Sequence, residues 1–346
     1  MSIFPSVGDF FALDIGTTAV RVVQLHKSGD SWSLVKYGLA PVDIRVAASD
    51  APEDQRRLGE TINNLISQTG INVRNVVVGV PSNKAFITVV ELPEMPAQEL
   101  ASTIKYQAEQ YIPMPIEEVK MDWAVLGRAL HDASKVEVLL ASVTKKFSES
   151  RMEMIEGLGL NVVAIEPDPL ALVRSLITPA DKDAHLIVDI GDSTTDIVAV
   201  LAGAPRLVRS LPTGMQTLLK VAMQNLNVDA NQAMQFILKF GMAPDRLEGQ
   251  VVRALDSTMD QFSGEVEKSV KFFLSRYTNV QIKSLVLSGY AQAIPAFDQY
   301  LASKVGLQAV AGDAWANVHH SPSLNDSLAQ IGPHFAVAVG LAERTI

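Results

Sequence analysis

The segment Leu13-Asp14-Ile15-Gly16-Thr17-Thr18-Ala19-Val20-Arg21-Val22-Val23 has a counterpart about half a chain later. It lies in Leu186-Ile187-Val188-Asp189-Ile190-Gly191-Asp192-Ser193-Thr194-Thr195-Asp196-Ile197-Val198-Ala199-Val200. Each copy places Asp-Ile-Gly and short hydroxyl residues between two apolar, β-branched runs, which spells strand, tight turn, strand. One such hairpin constrains little, because ordinary turns use the same residues. Two of them at equivalent places in two α/β stretches point to an internal duplication, and hence to a bilobed α/β fold with facing loops.

Facing loops of this composition suit phosphate. A glycine after the aspartate lets the turn take a positive φ and removes the side chain that keeps backbone N–H groups from an anion. Thr and Ser add hydroxyl donors, and a phosphate chain between two such loops is held from both sides. Carboxylates repel phosphate, so the pattern calls for a cation, with Asp14 and Asp189 ordering the waters of a Mg²⁺ that bridges phosphate oxygens. Arg21 either reaches back to a phosphate as a fork donor or is a solvated strand arginine.

Composition excludes several classes. The 346 residues are 48% hydrophobic and 19% charged, enough for two cored lobes of a globular protein. Thirty-eight acidic against 29 basic residues, net −9, argue against a mainly electrostatic grip on nucleic acid or anionic lipid. Without cysteine there is no disulfide, zinc-thiolate site or thiol nucleophile, which fits a cytoplasmic protein. The opening Met1-Ser2-Ile3-Phe4-Pro5-Ser6 lacks a basic region followed by a long apolar core, and no run reaches the roughly eighteen apolar residues of a membrane span. Work at a membrane therefore implies a partner that brings the chain there.

Between the two hairpins the pattern predicts a strand over Trp32 to Leu39, a helix over Arg57 to Gln68 ended by Gly70, and a buried strand at Val76 to Val80. A small α+β insert follows: a strand at Ile87 to Leu92, a helix opened by Pro96 and closed by Pro113 and Pro115, strands near Val119 to Leu126 and Val136 to Val143, and a helix from Phe147 to Leu158. Val162 to Ile165 then reads as a strand and Leu170 to Ile177 as an apolar helix. His319-His320 reads as part of a polar loop, and Glu117-Glu118 as solvated surface.

At these residues the chain resembles the actin/Hsp70-like nucleotide-binding superfamily, all five of whose signature segments have matches in family order. Asp14 to Thr18 looks like the first phosphate loop, with Arg21 where the family usually has Lys, and Asp189 to Asp196 looks like the second. Glu166-Pro167-Asp168-Pro169 resembles the start of the first connecting helix, Ser284 to Ala291 the adenosine segment, and Phe335 to Ala342 the second connecting helix. The resemblance implies a duplicated ribonuclease H-like fold in four parts. These are a first-lobe core over 1–84, 161–185 and 331–346, an insert over 85–160, a second-lobe core over 186–210 and 283–330, and a further subdomain over 211–282.

Within the superfamily, the insert resembles the FtsA/PilM branch. Glu91-Leu92-Pro93-Glu94-Met95, Glu109 to Val119 and Asp122-Trp123 look like the PilM family of type IV pilus assembly, as do Arg209 to Gly214 and Gly340 to Arg344. FtsA-like division anchors are the alternative; they end in an amphipathic membrane helix, whereas Leu341 to Ile346 reads as the end of a core helix. The PilM resemblance implies a cytoplasmic ATP-binding adaptor at the inner face of the membrane. Such a protein grips the cytoplasmic tail of PilN in a groove between first subdomain and insert, with pilus motor ATPases and self-association as further contacts and no nucleic acid.

For the site, the resemblance implies that ATP or ADP with Mg²⁺ lies against Asp14, Gly16, Thr17, Thr18 and Arg21 on one side. Asp189, Gly191, Asp192, Ser193, Thr194, Thr195 and Gly214 lie on the other, with Glu265, Lys268, Ser269, Ser288, Gly289 and Tyr290 toward the nucleoside. Tyr290 stands where the family has a second glycine, and it either stacks on a base or obstructs its approach. Ala233 to Ile237 lacks the charges of the family's Ala-Glu-x-x-Lys pattern. Asp196, Glu166 and Asp168 are the candidates for orienting an attacking water.

Overall fold

The computed structural model describes residues 8–345; the opening Met1 to Ser6 and the final Ile346 lie outside them. The chain begins with β1 (Phe10–Ile15), β2 (Ala19–Ser28) and β3 (Ser31–Pro41), a meander that buries Phe11 and Leu13 on one face and Ala12 and Val23 on the other. After α1 (Ile44–Ala48), α2 (Pro52–Thr69) starts with Pro in its first turn and lays Leu58, Ile62 and Leu65 on the sheet. It ends at Gly70, whose φ of 67° is a left-handed cap. The helix starts earlier than its apolar stripe suggests, because its first turn is polar and solvated.

β4 (Asn75–Val80) leads into the insert, made of β5 (Ala85–Pro93), α3 (Ala97–Tyr111), β6 (Val119–Arg128) and β7 (Lys135–Thr144). Its sheet has the order β5-β7-β6, and Leu100 and Ile104 of α3 pack on Val90, Leu92, Val138 and Leu140. α4 (Lys145–Glu156) is capped by the Thr144 hydroxyl and carries Ile155 into the cluster of Phe11, Leu58 and Val78. That helix therefore packs its apolar C-terminal half on the first lobe while it also borders β6 and β7 of the insert. β8 (Asn161–Pro167) and α5 (Asp168–Leu176) complete this half.

The second half has β9 (Ala184–Ile190), β10 (Thr195–Leu201), β11 (Ala204–Leu211), α6 (Met215–Leu226), α7 (Ala230–Phe240), α8 (Gln250–Arg276), β12 (Ile282–Gly289), α9 (Tyr290–Ala293), α10 (Phe297–Val305) and β13 (Ala309–Ala311). β14 (Val318–His319) then pairs beside β3, so His319 lies in an edge strand rather than in a loop. α11 (Asn325–Ala342) runs back along the first lobe.

The duplication is explicit in the sheets. β3-β2-β1-β4-β8 of the first and β11-β10-β9-β12-β13 of the second share one order, with an antiparallel meander and then parallel strands. In matching registers Asp14 pairs across from Arg21, and Asp189 from Asp196. Where the halves join, α5 and α11 cross backbone to backbone: a Cβ on Gly340 would sit 1.9 Å from the Ala171 carbonyl oxygen.

Candidate functional site

The hairpin turns of β1–β2 and β9–β10 face each other and touch. Thr18 Oγ1 donates to Asp192 Oδ2 at 2.6 Å, and Ser193 Oγ donates to Thr17 Oγ1 at 3.4 Å. Both turns close alike, Gly16 N–H on the Ala19 carbonyl at 3.0 Å and Gly191 N–H on that of Thr194 at 2.9 Å. Neither glycine has a positive φ, which corrects the dihedral reason expected for them. Space is the reason instead. A Cβ on Gly16 would lie 2.9 Å from Arg21 Nη1, and one on Gly191 would lie 3.1 Å from the Thr194 oxygen.

Gly214 has a related role as the residue capping α6, where a Cβ would lie 2.5 Å from the Asp192 carbonyl oxygen. Its absence lets the helix N-terminus come down on the second turn, and Met215 and Gln216 N–H donate to the carbonyls of Gly191 and Asp192. Thr195 is fully buried and donates to the Thr213 carbonyl at 2.6 Å, tying turn to helix from below. Ser193 and Thr194 remain at the rim of the cleft.

The cleft between the lobes, open to solvent, gathers Asp14, Asp168, Asp189 and Asp196 around Arg21. Arg21 pairs with Asp14 at 3.2 Å and is largely buried, so it is not a solvated strand residue. Burial drives every one of these carboxyls upward. Asp14 is raised by burial against the opposing pull of Arg21; Asp189 reaches about 7 and Asp196 about 6. Asp168 is raised well above the usual range, by burial and then by the neighbouring charges of Asp14, Asp196 and Asp189.

Asp168 Oδ1 is buried without a hydrogen-bond partner, and a Cβ on Gly79 would lie 2.6 Å from it. Four crowded carboxylates, one with an unsatisfied oxygen, fit a divalent cation. No three of them come within 4.8 Å of one another, a spacing suited to holding the ion through its waters. Three groups of the cleft had escaped the sequence reading: Ser82 and Ser210, which meet at 3.0 Å where Ser82 also donates to Asp196, and His334. The duplication holds the clue for Ser82, since β4 and β12 are equivalent strands and Gly289-Tyr290 stands at the end of β12 as Ser82 stands just past β4.

Other expected residues are placed elsewhere. Glu166 turns away from the cleft, both its oxygens taken by Arg174 and by Arg344 at 2.6 Å, which corrects its assignment as a water-orienting carboxylate. Glu265 is engaged by Arg209 at 2.8 Å and Lys268 at 2.6 Å, which hold its carboxyl below the usual range. Ser269 accepts from the same Arg209, and none of Glu265, Lys268 and Ser269 lines the cleft. Ser288 is buried under Gly289 and donates to the Pro333 carbonyl. Tyr290 is tied across the cleft. Its hydroxyl donates to Asp192 Oδ1 at 3.2 Å and its ring lies edge-on to His334, so it bridges the adenosine-like segment to the second turn.

A second concavity, of about 810 Å³, lies between the insert and the first lobe. Met121, Ala141 and Val143 form one wall, Val162 to Ile165 of β8 the other, and Met152 of α4 closes one side. β8 and β6 are the outer strands of their sheets, so two strand edges border this groove. Past Asp122 and Ala141 it continues along Trp123, Leu170 and Arg174 into a further space of about 1100 Å³. No helix among the described residues is long and apolar enough to cross a membrane.

The sequence profile of the family described as "Type IV pilus assembly protein PilM" matches residues 12–346. Among solved structures, the chain is similar to the "PilM-PilN type IV pilus biogenesis complex", with a TM-score of 0.83, 24% identity and coverage of 98% of each chain. It is also similar to MreB5 of Spiroplasma citri bound to ADP, with a TM-score of 0.56, 14% identity and coverage of 97% of this chain and 95% of that one. Cell division protein FtsA of Neisseria meningitidis serogroup B (strain ATCC BAA-335 / MC58) is 30% identical over 118 residues, 32% of this chain and 28% of that protein. The chain thus spans under a third of that curated relative's length.

Proposed function

The chain belongs to the PilM family of type IV pilus assembly proteins, and from that premise we propose that it is an adaptor that seizes an extended cytoplasmic tail of a PilN-type membrane protein. The observation that carries this reading is the apolar groove bordered by two strand edges, β6 and β8. An extended peptide adds its backbone to such an edge and buries alternate side chains in the groove, here against Met121, Val143 and Met152. The similarity to a PilM seen with PilN supports the same partner. The tail would hold the protein at the inner face of the membrane and so link the membrane complex to the pilus motor, without a membrane helix of its own.

In the same reading the interlobe cleft takes ATP or ADP with Mg²⁺. The hydroxyls and N–H groups of Thr17, Thr18 and the turn from Asp192 to Thr194 would face the phosphates, with Asp14 and Asp189 ordering the ion's waters. The bound metal would supply charge neutralisation for the phosphates and for the crowded carboxylates alike. Asp196, which accepts a hydrogen bond from Ser82, and Asp168 line the same cleft and would orient a water. Entry of a nucleoside would require Tyr290 to leave Asp192.

The test is fluorescence anisotropy with a labelled peptide of the PilN-type tail. Saturable binding that Met152→Lys weakens by about tenfold or more is expected, because a buried ammonium would replace an apolar wall. Absence of binding to folded protein at high micromolar peptide overturns the adaptor reading.

A further inference from the structure

We propose that a third pocket, at the foot of the first lobe where α11 ends, binds an organic cation through an alkylammonium or guanidinium group. The pocket, open to solvent, lies between the β2–β3 turn, the end of α5, β14 and Glu343, and it meets the groove described above at Arg174 and Pro179. Glu343 is 5% exposed, and its Oε1 is buried with no hydrogen-bond partner. It also caps the C-terminus of α11, where the helix dipole repels a carboxylate. Burial, lack of a partner and an unfavourable helix end all act against a charged glutamate here. An entering cation supplies the missing partner and adds to the pull of Arg174, whose own donors go to Gly340 and Glu166.

The surrounding charges select the sign of the ligand. The arginine that lines the pocket, Arg174 of α5, is already committed to Glu166 and to the Gly340 carbonyl. Asp30, from the β2–β3 turn, adds a second carboxylate, and His319 of β14 stands at the edge. Trp32 lines the same space and already draws one amine, with Lys27 Nζ 5.1 Å from its ring centroid. An aromatic face beside carboxylates is an environment for ammonium or guanidinium. Glu343 belongs to no group of three ligands at metal-binding spacing, which favours an organic cation over a metal ion.

Burial holds the free Glu343 carboxyl at about 8, with Arg174 pulling it down. Binding a cation at pH 7 therefore expels a proton, a signature that a purely structural glutamate lacks. The experiment is isothermal titration at pH 7 in two buffers of different ionisation enthalpy, with spermidine in one arm and a blocked lysine-containing tripeptide in the other. Binding with release of about one proton is expected. Tighter binding of spermidine assigns the site to a free amine, and tighter binding of the peptide to a partner's side chain.

Glu343→Gln, which keeps shape and removes the charge, should abolish both binding and proton release. Asp30→Asn, on an exposed turn, should weaken binding by about threefold while leaving the fold untouched. No heat from either ligand at about 10 mM, a concentration that would reveal even feeble sites, overturns the proposal. So does binding that both substitutions leave unchanged.

Discussion

Asp189 illustrates how a single residue carries opposed demands. Its folded pKa of about 7 and that of Asp196 near 6 lie above the unfolded value of 3.8, so the folded protein retains protons that the unfolded chain has lost. Stability from this source is complete below about pH 4 and is lost as pH rises through about 6 to 7. Asp189→Asn should therefore stabilise the ligand-free protein at pH 8 by about 1–3 kcal/mol and have little effect at pH 4, measured by urea denaturation. Mg²⁺ with nucleotide should show the converse, stabilising the parent more at pH 8 than at pH 5. Tyr290→Phe, which deletes the bond to Asp192, should raise nucleotide affinity by about three- to tenfold in a titration, from release of roughly one hydrogen bond. The two facing turns were legible because the same short motif occurs twice. Glu166 was misread because only the fold brings Arg174 and Arg344 to it, and the nucleoside-side trio because Arg209 lies far from Glu265 in sequence.

At the scale of elements, the crossing of α5 and α11 is where the two halves bear on each other. Gly340→Ala places a methyl 1.9 Å from the Ala171 oxygen, which neither backbone can yield without separating the helices. A loss of about 3 kcal/mol or more is expected in thermal or urea unfolding, with Gly264→Ala, where a Cβ meets nothing, as the neutral control. Elements with strong apolar periodicity, such as α2 and β4, were readable from sequence, as was the insert's β-α-β-β order. β14 was not, since two residues carry no periodicity. The allegiance of α4 was also hidden, because a helix's apolar face does not say which of two neighbouring sheets it covers.

Across the whole molecule, the insert is fastened to the second lobe as well as to the first. Glu137 of β7 is buried and takes Arg206 at 3.4 Å and the Tyr277 hydroxyl, while Arg276 pairs with Glu91 at 3.2 Å and donates to the Val89 carbonyl. A change in the angle between lobes would thereby pull on the insert sheet that walls the groove. If ligands bias that angle, the affinity for the tail should differ with and without Mg²⁺-ATP, and Arg276→Ala should reduce that difference at least twofold, read by anisotropy. The central claim is the groove itself, and methionine methyl NMR during titration with the PilN-type tail peptide tests it most directly. The account predicts shifts at Met121 and Met152, which line the groove, while Met215 and Met259, buried in the second-lobe core, stay near their free positions. Saturation of the peptide with Met121 and Met152 unmoved would contradict it.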